Sequence, residues 1–258
     1  MSKAWSSPVV VGAALLALVL AVGGAWAWVF AEQGTAPAGA TAAAPPSSSS
    51  SSTSSPSAAE PTWTMDDARD ALAGDGSRVL VLGDSTGNGN DEWASLWAQS
   101  AQLPLARWDT DTEAGYVNEA DDTRLWSAAM NSGTAGYPLE HDEVWPAQDP
   151  DLVLLSYGHF HDSAADATDA LEDLRVELAD RYPDAPVVVV LQNPEADNAD
   201  ADRRAAIGDW ADDAGLPTID VAAAFEDSGD PDALLADEIN PSPEGSQLWA
   251  DTVAEALG

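Results

Sequence analysis

The chain has no cysteine and almost no lysine. Without a thiol, disulfides, thiolate nucleophiles and Cys-based zinc sites are all excluded. Lys3 is the single lysine, and 9 basic residues face 45 acidic ones, for a formal net charge of -36. So negative a surface repels phosphate backbones, which excludes nucleic acid as a partner class, and it disfavours docking on anionic lipid. It suits a solvated surface in a salty medium or beside a cationic partner. Charge is also unevenly placed. Before Trp63 the only charged residues are Lys3, Glu32 and Glu60, so the remainder carries 43 acids against 8 arginines.

What the N-terminal part holds instead is a long apolar run, Pro8 to Ala31, long enough for a membrane helix of ~20 residues. Lys3 before it and Glu32 after it put the N-terminus inside and the rest outside. Two readings stand: a retained anchor, or a signal peptide with Ala25-Trp26-Ala27 as its cleavage site. Trp26, Trp28 and Phe30 suit an interfacial belt and favour the anchor. Either way the C-terminal part is exported: single-pass at the cell membrane with the domain outside, or secreted. Residues 1–31 are this segment and 32–62 a linker. The linker includes Pro45-Pro46 and a Ser/Thr tract from Ser47 to Ser54, a composition that cannot bury enough apolar area to fold.

Residues 63–258 are ample for one domain. Apolar runs at Arg78–Leu82, Asp151–Tyr157, Pro186–Leu191 and Pro217–Val221 read as buried strands, with shorter ones at Leu105–Trp108 and Thr123–Trp126. Between them, Asp91–Leu103, Ala164–Arg181 and Ala201–Ala214 have helical spacing, and Pro243–Leu257 closes the chain as a helix with Pro at its start. Continuous apolar strands alternating with helices predict an α/β domain, a parallel sheet covered on both faces. Ligands in such sheets bind at the carboxyl ends of the strands. Trp93, Trp97 and Trp249 read as core residues of their helices rather than a sugar platform.

Ser85 falls at such a strand end, in Gly83-Asp84-Ser85, before Thr86-Gly87-Asn88-Gly89-Asn90. A serine on a strand-to-helix turn suits a nucleophile, with its own N–H near a helix N-terminus for an oxyanion. The plainer reading is that Asp84, Ser85 or Asn90 caps the helix. The segment Asp237-Glu238-Ile239-Asn240-Pro241-Ser242-Pro243-Glu244-Gly245 precedes the last helix. Together these blocks resemble the SGNH/GDSL hydrolase family, which pairs Gly-Asp-Ser with a later Asp-x-x-His-Pro. Asp149-Pro150-Asp151-Leu152-Val153 with Ser156-Tyr157-Gly158-His159 resembles the family's third block. Asn131-Ser132-Gly133-Thr134 resembles its second.

The resemblance implies a three-layer α/β/α sandwich with a parallel, flavodoxin-like sheet of about five strands. It implies Ser85 as nucleophile, Asp237 as the residue that orients the base, and an oxyanion site formed by Ser85, Gly133 and the Gly158 turn. Its substrate classes are ester-bearing small molecules, polysaccharide or lipid, with no cofactor. Two positions depart from the pattern. The family's histidine falls on Asn240, and an amide has no usable protonation equilibrium near neutral pH. The family's oxyanion asparagine falls on Phe160; losing one such donor typically costs ~10²–10³ in rate. His159 and His161 are the candidates for a relocated base, and His141 reads as structural. The sequence therefore leaves two functions open: an exported ester hydrolase, or an impaired domain that binds acyl or glycan groups.

No metal site is expected. His159-x-His161-Asp162 has ligand types and would need a third ligand from another loop; among 45 acids a candidate always exists, which makes the signal weak. Asp109, Asp111 and Glu113 lack the glycine and glutamate of a calcium loop. The acidic run Asp197–Asp202 reads as a helix start.

Overall fold

The computed structural model describes residues 62–258; the apolar run and the linker through Pro61 lie outside the described residues. Five apolar runs become parallel strands. They are β1 (Val79–Gly83), β4 (Leu125–Ala129), β5 (Leu152–Ser156), β6 (Val187–Leu191) and β7 (Thr218–Asp220). Their order, β4-β1-β5-β6-β7, places the first of them between the second and the third. That is the flavodoxin-like order.

The sheet is longer than expected and not wholly parallel. β2 (Leu105–Trp108) adds to β4 in parallel, and β3 (Tyr116–Val117) adds to β2 antiparallel, giving seven strands. The acidic turn between β2 and β3 explains the reversal. Asp109 accepts from the N–H groups of Asp111 and Thr112 and from the Thr112 hydroxyl. Its own N–H donates to Gly115 O at 2.9 Å. Gly115 adopts φ +127°, a conformation that favours glycine. The carboxylate thus caps a hairpin turn.

Period-two alternation splits each strand between two cores. Leu80, Leu82, Val153, Leu155 and Val189 face α4 (Ala164–Arg181) and α5 (Ala201–Asp213), meeting Leu171, Leu174, Leu178 and Ile207. Val79, Val81, Leu152, Leu154 and Val190 face the other way. There they meet α1 (Met65–Leu72), α2 (Trp93–Ser100), α6 (Val221–Asp227) and α7 (Pro243–Leu257). The sandwich is therefore three layers. Trp93 of α2 and Trp249 of α7, both fully buried, stack at 5.3 Å with planes 3° apart. Helices α1, α6 and the single turn α3 (Tyr137–Glu140) were not read from sequence. α1 carries a capping box at its start, Thr64 with Asp67, which is a legible signal.

Two features of this fold set up one end of the sheet. β1 is central, so Gly83-Asp84-Ser85 emerges at the middle of the carboxyl edge. α7 begins at Pro243 after the Ser242 cap, and the segment before it is drawn back to the same edge. Ser242 N–H donates to Leu234 O at 2.7 Å and Ala236 N–H to Asn240 O at 2.8 Å. Gly245 makes this close approach possible, because a Cβ there would lie 2.2 Å from Leu234 O.

Candidate active site

Asp84 leaves β1 in an extended conformation and is 1% exposed. Its Oδ1 accepts from the Thr86 N–H at 3.1 Å and the Thr86 hydroxyl at 2.8 Å, capping the 3-10 turn Ser85–Gly87. Its Oδ2 accepts from Gln192 Nε2 at 2.9 Å. The capping role therefore belongs to Asp84, and α2 starts later without a side-chain cap. Ser85 is left to face the opposite loop. Among the described residues nothing accepts from its N–H.

Ser85 Oγ donates to Asn240 Oδ1 at 3.3 Å, across 155 positions of sequence. Asn240 Nδ2 in turn donates to Asp237 Oδ2 at 2.9 Å. Because a carboxylate only accepts, the amide of Asn240 has one possible orientation: its nitrogen faces Asp237 and its oxygen faces Ser85. Asp237 Oδ1 also accepts from the N–H groups of Asn240 and Ile239, at 2.7 and 2.9 Å. The Asn240 side-chain bond, then these two amides, hold the Asp237 carboxyl below the usual carboxylate range. The three residues are connected like a serine-base-acid triad with a carboxamide in the middle. A carboxamide oxygen can receive a hydrogen bond, but it cannot carry the proton away. At 3.3 Å the bond is also long for O–H···O.

The two candidate replacement bases hydrogen-bond elsewhere, which corrects that expectation. His161 is buried; its Nε2 accepts from the Ala135 N–H at 3.2 Å, so Nδ1 carries the hydrogen bonded to Asp166 at 3.0 Å. The His161 bond holds the Asp166 carboxyl below its ordinary range, aided by the Asp162 amide. His159 is also buried. Its Nε2 donates to Asn193 O at 3.0 Å, its backbone N–H donates to Gln192 Oε1, and its Nδ1 lies 3.8 Å from Asp84 Oδ2. The turn that brings His161 N–H back to Gly158 O tucks both rings into the protein. Neither bonds Ser85. His141 stacks on Tyr137 at 3.9 Å, a structural contact.

The oxyanion candidates fare unevenly. The Gly133 N–H is engaged with Met130 O at 3.2 Å within a turn. Gly158 packs so closely on Gln192 that a Cβ would lie 2.9 Å from Oε1, and its carbonyl accepts from His161. The Phe160 side chain has no donor to offer.

Sequence reasoning missed the polar residues behind Asp84. Gln192 donates to Asp84, and to Ser156 O at 3.0 Å, bracing two strand ends. Asn193 donates to Ile239 O at 2.9 Å, tying the end of β6 to the Asp237–Asn240 loop. The signal was available: two amides directly after the apolar run of β6, at the ligand-binding edge.

His159, Glu195 and Asp200 bring their ligand atoms within 4.8 Å of one another. Arg203 pairs with Glu195, and Arg204 pairs with the buried Asp200. Both carboxylates are thus neutralised by guanidinium groups, which would repel a divalent ion, so the cluster is an ion-pair network. His159 and His161 have separate partners and do not converge on a common centre.

No family model matches the chain, and no curated protein is similar to it in sequence. Solved structures are similar to it in fold. A putative lipolytic protein of the G-D-S-L family from Desulfitobacterium hafniense superposes with TM-score 0.54 at 19% identity, covering 70% of this chain and 99% of its own. An acetylxylan esterase from Geobacillus stearothermophilus gives 0.54 at 19%, covering 72% and 95%. Phospholipase A1 from Streptomyces albidoflavus gives 0.50 at 17%, covering 70% and 99%. With Ser85 at the carboxyl end of the central strand and Asp237 before the last helix, residues 62–258 carry the SGNH/GDSL hydrolase fold.

Proposed function

We propose that this domain binds acyl esters at the Ser85 edge of the sheet without efficient turnover, as an exported domain tethered through residues 1–62. The observation that carries the reading is the Ser85 hydroxyl donating to the Asn240 carboxamide. A nucleophile needs its proton removed as it attacks, and no residue bonded to Ser85 can do this. What favours ligand binding is the retained frame: the Asp84-capped serine turn, the open Ser85 N–H and the ordered Asp237–Asn240 loop. Neighbours in fold include an acetylxylan esterase and a phospholipase A1, which supports acyl groups on polysaccharide or lipid as the ligand class.

The test uses the full-length chain. Incubated with an acetylated xylo-oligosaccharide, it should give saturation-transfer NMR signals from the acetyl methyl groups without releasing acetate. Ser85→Trp should abolish those signals. Rapid acetate release by the parent, lost in Ser85→Ala, would establish the hydrolase instead. Absence of both binding and release would defeat the acetyl-glycan form of the reading.

A further inference from the structure

Hydrogen bonds tie the His161 ring to two elements and fix where its proton sits. The side chain is 1% exposed. Nε2 accepts from the Ala135 N–H at 3.2 Å, and Nδ1 donates to Asp166 Oδ2 at 3.0 Å. A ring that accepts at one nitrogen and donates from the other is the neutral imidazole, because the imidazolium only donates. His161 therefore bridges the first turn of α4 and the loop at residues 130–136, between β4 and α3.

That loop is one wall of the Ser85 edge. Met130 N–H donates to Gly83 O at 3.0 Å, and Asn131 Oδ1 accepts from Asn88 Nδ2 at 2.6 Å. The loop thus touches the chain on both sides of the Ser85–Gly87 turn. Within it, Ser132 adopts φ +52°, a left-handed conformation that a serine keeps only where its surroundings enforce it. The Ala135 bond is one of the constraints that hold this strained segment in place.

The charged groups around the ring pull in opposite directions. Asp166 of α4, half exposed, faces Nδ1 and favours a positive ring. The same bond holds the Asp166 carboxyl below its ordinary range, so it stays ionised in mild acid. Arg203 of α5 donates from Nη1 to His161 O at 3.2 Å and opposes a second positive charge, although Glu195 pairs with it. Asp162 is exposed and donates its N–H to Asp166, and His159 on the same turn is bonded to Asn193 O. What the loop after β4 presents to the ring is the uncharged Ala135 N–H. A proton added at Nε2 would set donor against donor there, and the bond cannot survive it.

We infer that His161 is an acid-sensitive latch: protonation leaves the ring on Asp166 as an ion pair and releases Ala135, so that the loop at residues 130–136 opens at the Ser85 edge. The latch does not depend on what binds at that edge.

The test is amide hydrogen exchange of the full-length chain by NMR, from about pH 8 to about pH 5, the range in which histidine changes charge. Protection of the Ala135 N–H, corrected for the intrinsic pH dependence of exchange, should fall about tenfold on acidification, as for a buried donor that loses its acceptor. The midpoint of that fall should coincide with the titration of the His161 ring nitrogens. The Val79 N–H, bonded to Arg124 O at 2.8 Å in the sheet, should keep its protection and reports on general loosening by acid. In His161→Gln, whose side chain does not titrate, Ala135 protection should no longer depend on pH. Asp166→Asn keeps an acceptor for Nδ1 and removes the charge, so the transition should move to lower pH. Constant Ala135 protection in the parent, or a midpoint different from that of the ring, would overturn the proposal. So would a parallel fall at Val79, a pH dependence that survives in His161→Gln, or an unmoved transition in Asp166→Asn.

Discussion

Ser85 stands between two unlike regions. In front of it, the Asp237–Asn240 loop is solvent-facing and presents a single amide to the serine. Behind it, Asp84, Gln192, His159, Asp200 and Arg204 form a buried polar assembly that joins the ends of β1, β5 and β6 to α5. The back keeps the serine turn in place, and the front decides whether the serine can react. A substitution in the front removes chemistry at little structural cost, whereas the back cannot change without stranding a buried charge. That asymmetry lets the fold around Ser85 stay intact whichever group the front presents to it.

The sharpest way to break the comparison is to restore the front. Asn240→His should raise hydrolysis of a chromogenic acetyl ester by ~10²–10⁴ if only the base is missing. The gain should vanish in Ser85→Ala and should titrate in as the imidazole loses its proton. An inert Asn240→His variant would place part of the defect at Phe160 or at the engaged Gly133 amide.

Next comes the back. Arg204→Met leaves the buried Asp200 carboxylate without its charge partner and should cost about 3–5 kcal/mol, read from urea unfolding. Gln192→Ala should cost about 1–3 kcal/mol, because Asp84 Oδ2 loses its donor and Ser156 O keeps only the Asp84 N–H at 3.3 Å. If either variant unfolds at the parental midpoint, the division into a supporting back and a dispensable front is wrong.

The smallest effect belongs to the front again. Asn240→Ala removes the Asn240 side-chain hydrogen bond that does most to hold the Asp237 carboxyl down, so this carboxyl should titrate closer to its ordinary value by carbon-detected NMR. Its folded pKa is depressed, so its contribution to stability is present above the unfolded value and is lost as pH falls through the folded one. Asp237 is exposed, and that contribution should stay under about 1 kcal/mol. A larger acid-dependent loss would mean that the loop is structurally coupled to the core.

The elements with the strongest pattern were legible residue by residue. Ala164–Arg181 and Pro243–Leu257 form helices with the bounds read from their spacing, and β2 spans the residues expected of it. The apolar runs around Leu80, Leu154 and Val189 carried enough periodicity to specify a covered sheet. β3 was not legible, because two residues have no period; it exists where the Asp109 cap and the Gly115 turn fold the chain back. β4 begins at Leu125 rather than Thr123 and runs on to Ala129, paired with Gly83 of β1.

The sequence by itself determined the alternation of strands and helices, the place of Ser85 at a strand end, and the presence of an amide, Asn240, ahead of the last helix. Those properties are local: they depend on residue identity and on spacing within one element. Only the tertiary structure decided which polar groups meet. His159 and His161 lie in the same short block as Phe160, yet Asn193 takes Nε2 of His159, and Ala135 and Asp166 take the two ring nitrogens of His161. Hydrogen bonds are satisfied by whatever donor or acceptor the fold brings within about 3 Å, and sequence separation carries no information about that distance.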